Sequence, residues 1–439
     1  MVPKNDDSLT AAPLRRWWHV ATVDVTPLRR HRDFRLLFVG RSVSFFGSMI
    51  TSVAVPFQTY QLTHSVLLVG LIGLAELAGL FAFAFLGGAL ADAIDRRNMV
   101  LLTEAGLMVA SSLLAANSLL AHPMVWPIFA LATLQAAFDA LQRPSLDALT
   151  PRLVDRAELT AATALGMLRG TLGMIAGPAI AGVLIAAVGL PVTYLVDVAT
   201  FVVGLTCLGL MRAVPPPADA ERPSLRRVTE GLRYARSRQE LIGTYVVDII
   251  AMLFGMPMAL FPAVAQGLGG PSVLGLLYAA PAVGSFVFSA TSGWTRHVHR
   301  HGMGVIVAAT VWGVAIIGFG LVPGLVSALA FLALAGAADA MSGLFRGTMW
   351  TQTIPDSLRG RLASIELLSY SLGPTLGNFE AGVVASLVSV RFSIVSGGVL
   401  CVVGCLVAAA ALPAFRAYDA RKYHFAPDPE TGGVKQRKD

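Results

Sequence analysis

Apolar residues along the chain gather in runs of about twenty, and charge clusters or Pro/Gly turns separate them. The runs fall at 36–60, 66–90, 99–121, 124–146, 163–188, 190–211, 241–265, 273–294, 303–322, 325–349, 363–388 and 392–412. Each has the roughly 20 residues a helix needs to cross a bilayer. The pattern predicts an all-α polytopic membrane protein with twelve transmembrane helices. Around them lie a tail over 1–35, a linker over 212–240 and a tail over 413–439, leaving a first bundle at 36–211 and a second at 241–412.

Composition agrees: of 439 residues 55% are hydrophobic and only 13% charged, with a mean hydropathy of +0.68, which excludes an ordinary soluble domain. The tail before the first run is polar and lacks the apolar core of a signal peptide, so insertion is expected to start with span one, with Trp17 and Trp18 as interface anchors. Basic residues alternate between the two sides. Seven precede span one, seven lie between spans six and seven, and pairs such as Arg96 and Arg97 or Arg359 and Arg361 mark every second connection, with Arg391 the exception. The positive-inside rule then puts both termini in the cytoplasm. The net charge of +7 reads as a topology and anionic-lipid signal, with no nucleic-acid partner required. In the linker, Leu225, Val228 and Leu232 at helical spacing predict a short amphipathic helix on the cytoplasmic surface.

The two bundles repeat each other. At an offset of 205, Gly70, Gly79, Phe81, Phe83 and Gly88 match Gly275, Gly284, Phe286, Phe288 and Gly293. At an offset of 200, Ala137, Asp139 and Ala140 match Ala337, Asp339 and Ala340, and Leu172, Gly173, Gly177, Ala181 and Gly182 match Leu372, Gly373, Gly377, Ala381 and Gly382. An even number of spans separates the mates, so the repeats are parallel, as in rocker-type transporters.

Chemistry-bearing residues inside the spans are expensive and therefore functional candidates. They are the bases Arg41 and Arg169 and the acids Glu76, Glu104, Asp139, Asp197, Asp248, Asp339, Glu366 and Glu380. With eight acids set against two bases, several carboxylates lack an evident cation, and a carboxylate in low dielectric favours its protonated form. A proton-coupled carrier needs such a group. Glu76, in the middle of span two, is the first choice. Asp139 is open to two readings, a proton site or a salt bridge with Arg143, Arg169 or Arg41. Glu380 is expected against other helices, Asp248 is intermediate, and Glu104, Asp197 and Glu366 read as structural. Cys207, Cys401 and Cys405 read as buried hydrophobes, and His297, His299 and His301 as a solvated basic turn, so no metal is assigned.

Gly88-Ala-Leu-Ala-Asp92-Ala-Ile-Asp95-Arg96-Arg97 resembles the G-x-x-x-D-[RK]-x-G-[RK]-[RK] loop of the major facilitator superfamily, with Ala93 replacing a base and Asp95 replacing Gly. Asp tolerates left-handed backbone, which would preserve the turn. Gly173-x-x-x-Gly177-Pro178-Ala-Ile-Ala-Gly182 is similar to the Gly-Pro motif of exporters in that superfamily, where small residues let helices pack closely. Asp33-Phe34-Arg35, Arg143-Pro144, Pro151-Arg152-Leu153-Val154 and Phe261-Pro262-Ala263 resemble the enterobactin-exporter and multidrug-efflux subgroup. The resemblance covers 34–412 and implies the major facilitator fold, with gating by Gly88, Asp92, Asp95, Arg96 and Arg97 against the start of span eleven near Ser364. It further implies proton-driven export of a drug-like amphiphile or siderophore by a monomer in a bacterial inner membrane. A proton-coupled importer is the alternative within transport. No G-x-x-x-x-G-K-[ST] loop occurs, so no nucleotide cofactor is expected and the proton gradient is the energy source. An intramembrane enzyme or a channel is the reading from a different class. All eight His lie outside the spans or at their ends, which disfavours an enzyme, and duplicated halves suit alternating access better than a static pore.

Overall fold

The structure, a computed structural model, describes residues 24–93, 95–214, 234 and 236–422, with the side chains of 84–93 and 356–370 outside that description. Trp17 and Trp18, the linker helix, the side chains of Gly88 and Asp92, and those of Ser364 and Glu366 lie outside the described residues. The described part is helical, with no strand among the described residues.

After a short α1 (Thr26–Arg30), spans one to four are α2 (Arg32–Thr63), α3 (Val66–Ala93), α4 (Arg96–Leu119) and α5 (Trp126–Leu153). Spans five and six are the two arms of α6 (Leu159–Gly209). Their bend sits at Gly189, whose φ of 79° and ψ of 172° suit only a residue without a side chain. Span seven is α7 (Gln239–Phe254) followed by α8 (Phe261–Leu268), and spans eight to twelve are α9 (Pro271–Thr291), α10 (His301–Leu321), α11 (Leu325–Thr353), α12 (Asp356–Leu387) and α13 (Val390–Ala411). A final turn, α14, covers Pro413–Arg416.

Most helices outrun their apolar stretches because polar end turns continue the helix beyond the hydrocarbon, as at Asp356–Leu387 against the expected 363–388. Span seven departs from the expected continuous run. Its helix stops at Phe254, passes through a 3₁₀ turn at Met258–Leu260 and restarts at Phe261. Pro257 cannot donate a backbone bond. The freed groups are satisfied from other spans, since Trp312 Nε1 donates to Gly255 O (3.0 Å) and Ala259 N donates to Asn378 Oδ1 (2.9 Å).

Glycines set the packing, and they do so in mates. Span two meets span four where a Cβ on Gly79 would strike Thr133 O, and span eight meets span ten where one on Gly284 would strike Ala333 O. Gly173 and Gly177 lie against Phe45 and Met49 of span one, while Gly373 and Gly377 lie against Met252 and Leu253 of span seven. These contacts build each bundle. Two further pairs join the bundles to each other. Gly275 of span eight touches Pro178 O and Gly182, and Gly70 of span two touches Asn378 O and Phe379. Gly382 likewise rests on Val66 and Leu67. All of these seams lie towards the end of the molecule that carries Gly189 and the Gly269–Gly270 turn, opposite the Arg-rich connections.

Candidate functional site

Between the halves, below these seams, is a cavity of ≈ 420 Å³. Span one contributes Ser48, Thr51 and Pro56, span two Ile72, Gly73 and Glu76, and span four Gln135, Ala136 and Asp139. From the second half come Met258 and Ala259 of the span-seven break, Tyr278 and Asn378. The break therefore brings backbone to the cavity wall, as irregular backbone at membrane depth must either line a cavity or be buried in protein. The wall is mostly apolar with a few carboxylates, hydroxyls and amides, a surface suited to an amphiphile.

Glu76 and Asp139 both open into this space, so the structure brings the first-choice acid and the repeat-matched acid together. Among the described residues neither makes an ion pair. They stand on spans two and four, which pack against each other. The salt bridge considered between Asp139 and Arg41 is absent, because Arg41 is bonded instead to Glu104 of span three, which also accepts from Ser44 Oγ at 3.3 Å. Arg169 does not pair with Asp139 either; its guanidinium stands 6.0 Å from the Phe45 ring. Glu104 is buried at 0% exposure in this ion pair.

In the second half, Asp248 of span seven is bonded to Arg346 of span ten, and Asp339 stands 3.9 Å from the same guanidinium. Arg346 was missed by the count of two intramembrane bases. It lies three residues inside the predicted end of span ten, and at 2% exposure it is a core residue. Each half thus ties its first span to a later one by a buried ion pair, Arg41 to Glu104 of span three and Asp248 to Arg346 of span ten. Asp248 and Asp339 form this network and do not line the cavity. Glu380 is half-buried, has no hydrogen bond or ion pair among the described residues and is likewise not in the cavity wall.

At the Arg-rich end, Asp95 does not take up left-handed backbone. Its φ of −52° and ψ of 126° make it the N-cap of span three, accepting from Asn98 N at 3.1 Å. Asp replaces Gly there because a cap is needed and a positive φ is not. Arg97 donates from Nε to Leu208 O (2.7 Å) and from Nη2 to Gly209 O (2.6 Å), closing the C-terminus of span six. Arg96 Nη1 reaches Ala148 O of span four at 3.4 Å. These bonds bind spans three, four and six of one half, so the described part of the loop is a bracket within the first bundle.

Cys401 and Cys405 are buried, as expected. His301 is not solvated: it is 8% exposed, stacked between Phe345 (5.2 Å) and Tyr418 (6.3 Å), because the chain after span twelve returns to cover it. His31, Asp155 and Glu158 bring potential metal-ligand atoms within 4.8 Å of one another, but Arg30 already donates to Glu158 Oε1 at 3.1 Å and supplies the positive charge.

Two six-span halves related by matching glycine contacts, with a central cavity between them, define a secondary transporter of the major facilitator superfamily. Within it, the chain belongs to the transmembrane secretion effector family, which it matches over residues 22–438. It is 31% identical to the enterobactin exporter EntS of Citrobacter koseri over 388 residues, 88% of this chain and 93% of the relative. It is 32% identical to the enterobactin exporter EntS of Shigella boydii serotype 4 over 394 residues, again 88% and 93%. The fold matches the inward-facing crystal structure of a bacterial homologue of the human lysosomal transporter Spinster, with a TM-score of 0.71, 15% identity, and coverage of 92% of this chain and 100% of that one. The chain is a multi-pass membrane transporter and not an enzyme.

Proposed function

We propose that the protein exports a small organic molecule, a drug-like amphiphile or a siderophore, from the cytoplasm of a bacterium in exchange for protons. The observation that carries this is the pair of carboxylates, Glu76 and Asp139, that share one cavity and have no cation bonded to them among the described residues. A carboxylate in that setting can hold a proton or face a substrate, and the exchange of one for the other is what couples the two flows. The relatives named as enterobactin exporters support the direction and a siderophore-like cargo.

The positive-inside rule makes the Arg-rich end cytoplasmic and the Gly189 end extracytoplasmic. The seams at Gly70, Gly182, Gly275 and Gly382 then close the outer side, which supports loading of cargo from the inner side. The halves rock about the cavity; the seams part, the cavity faces outward, cargo leaves, and protons from the more acidic side reach Glu76 and Asp139. Their return to the inner side releases the protons. One chain holds the whole cavity, so a monomer suffices and the working partners are substrate, protons and lipid.

Everted membrane vesicles test this. With the interior acidified, vesicles holding the protein accumulate a fluorescent lipophilic cation or a catecholate siderophore, and nigericin abolishes the uptake. Accumulation that persists without a pH gradient, or that runs only in the opposite orientation, overturns the reading.

A further inference from the structure

Span six carries a carboxylate that the sequence pattern treats as structural. Asp197 is buried at 0% exposure, and among the described residues no Lys, Arg or His lies within ion-pair distance of it. Its place is prepared by the neighbouring spans. Gly47 of span one has no side chain because a Cβ there would strike Asp197 Oδ1 and Thr200 Oγ1. The carboxylate accepts from Thr51 Oγ1 (2.6 Å) and Ser111 Oγ (2.7 Å), both on Oδ2, while the Thr200 hydroxyl, 3.4 Å from Oδ1, donates its proton to Asp197 O at 2.6 Å. Ser111 in turn accepts from Gln135 Nε2 at 3.2 Å.

Two of these partners, Thr51 and Gln135, also line the cavity that holds Glu76 and Asp139. Asp197 is therefore one hydroxyl away from cavity water, with no direct exposure of its own. The ionisable groups around it are accounted for. On span three Glu104 is neutralised by Arg41 of span one. On span six the Tyr194 hydroxyl is engaged, donating to Gln58 Oε1 at 2.8 Å. Span four presents Asp139 on the cavity side, four residues from Gln135. An unbalanced anion would be expensive here, and two neutral hydroxyls compensate only in part.

We propose that Asp197 is a further proton-carrying site of the transport cycle, connected to the cavity through the Thr51 hydroxyl. The inference rests on the proton-coupled reading above. In the relay, a hydronium in the cavity gives its proton to Thr51 Oγ1 as the hydroxyl's own proton moves to Asp197 Oδ2. Thr51 ends neutral and Asp197 ends protonated, and the reverse step releases the proton. Thr51 is a positioning residue for the transfer and Asp197 stores the charge. A purely structural Asp197 would keep one protonation state throughout.

The test is infrared difference spectroscopy of the purified full-length protein in lipid during pH jumps, which reads carboxyl protonation without any substrate. In the Glu76→Gln/Asp139→Asn background the spectra before and after adding Asp197→Asn are compared, so that bands of the other carboxyls cancel; the difference is expected to show one titrating carboxyl band that belongs to Asp197. Asn accepts from the same hydroxyls, and a monodisperse peak with an unchanged melting temperature shows that the fold is kept. Thr51→Val is expected to keep the amplitude but slow the proton exchange about tenfold, equivalent to about 1.4 kcal/mol of barrier. Thr51→Ser is expected to restore the rate. A spectrum of the double variant that Asp197→Asn leaves unchanged overturns the proposal; wild-type kinetics in Thr51→Val overturn the route. Should wild-type protein transport its cargo without moving protons, the functional reading fails, whereas coupled wild type with an inert Asp197 refutes this inference alone.

Discussion

The seam between Gly182 and Gly275 offers the sharpest perturbation of the transport cycle, because it joins the two halves and not two helices of one half. A Cβ on Gly182 would lie 2.6 Å from Pro271 O, 2.9 Å from Gly275 N and 3.0 Å from Gly275 Cα, all backbone atoms of the opposite half. Comfortable carbon contacts need about 3.5–4.0 Å. Gly182→Val therefore requires span five and span eight to separate by roughly 1 Å at the Gly189 end. Overpacking of this kind costs about 1–3 kcal/mol when it cannot relax. Here it can relax by parting the halves, so the strain is spent on the equilibrium between closed and open seams. A bias of that size shifts the ratio about 5- to 150-fold. Gly284→Val is the contrast: its side chain would strike Ala333 O of span ten in the same bundle, where no rocking relieves it.

Spin labels at Leu120 and Val388, exposed at the Gly189 end of opposite halves, report the separation. Gly182→Val is expected to populate a longer label distance with little loss of melting temperature. Gly284→Val is expected to leave the distance alone and lower the melting temperature. If both variants lose stability equally and neither moves the labels, the seam is ordinary packing and the gate assignment is refuted.

Further outcomes follow from other parts of the structure. Arg346→Met leaves the buried Asp248 carboxylate without its bonded cation and is expected to destabilise the protein by about 3–5 kcal/mol, whereas Arg346→Met/Asp248→Leu recovers most of that; thermal unfolding in detergent distinguishes them. Arg97→Ala removes two bonds to the carbonyls ending span six and is expected to cost about 1–3 kcal/mol in the same assay, with Arg97→Lys recovering only part because Lys lacks the planar fork. At the C-terminal tail, Asp419 accepts from Arg421 N, Nε and Nη2, and these bonds hold its carboxyl below the ordinary range of about 4. A depressed folded value means the attachment is complete above the ordinary carboxylate range and is lost as pH falls through the lower one. The protection factor at Ala420 N, bonded to His299 O at 2.9 Å and corrected for the intrinsic pH dependence of exchange, is expected to fall only on acidification; protection that does not change with pH would show that Asp419 does not hold the tail.

The spans and the duplication are legible in the chain because their causes are local or periodic. Crossing a bilayer demands apolar length, and close helix crossings demand glycine, so Gly70 with Gly275 and Gly79 with Gly284 leave a spacing signature that the contacts then occupy. Glu76 and Asp139 are legible as candidates because a charge in an apolar run is conspicuous. What the chain does not display is pairing over long separation. Arg346 and Asp248 are 98 residues apart, and nothing near Asp248 signals its partner. The break in span seven depends on Trp312 and Asn378, contributed by spans nine and eleven. Asp197 looks peripheral by its span number, yet its hydroxyl neighbours come from spans one and three and reach the cavity. Asp95 shows the related case of a substitution whose reason is a cap and not a turn.

Proton movement in liposomes reconstituted with the purified protein tests the central claim most directly. Addition of a lipophilic cation or a catecholate siderophore to wild-type liposomes is expected to drive a proton flux opposite to the cargo, and Glu76→Gln is expected to abolish the flux while cargo binding persists. Cargo movement in wild type with no proton flux and no dependence on pH would contradict proton-coupled export through the Glu76–Asp139 cavity.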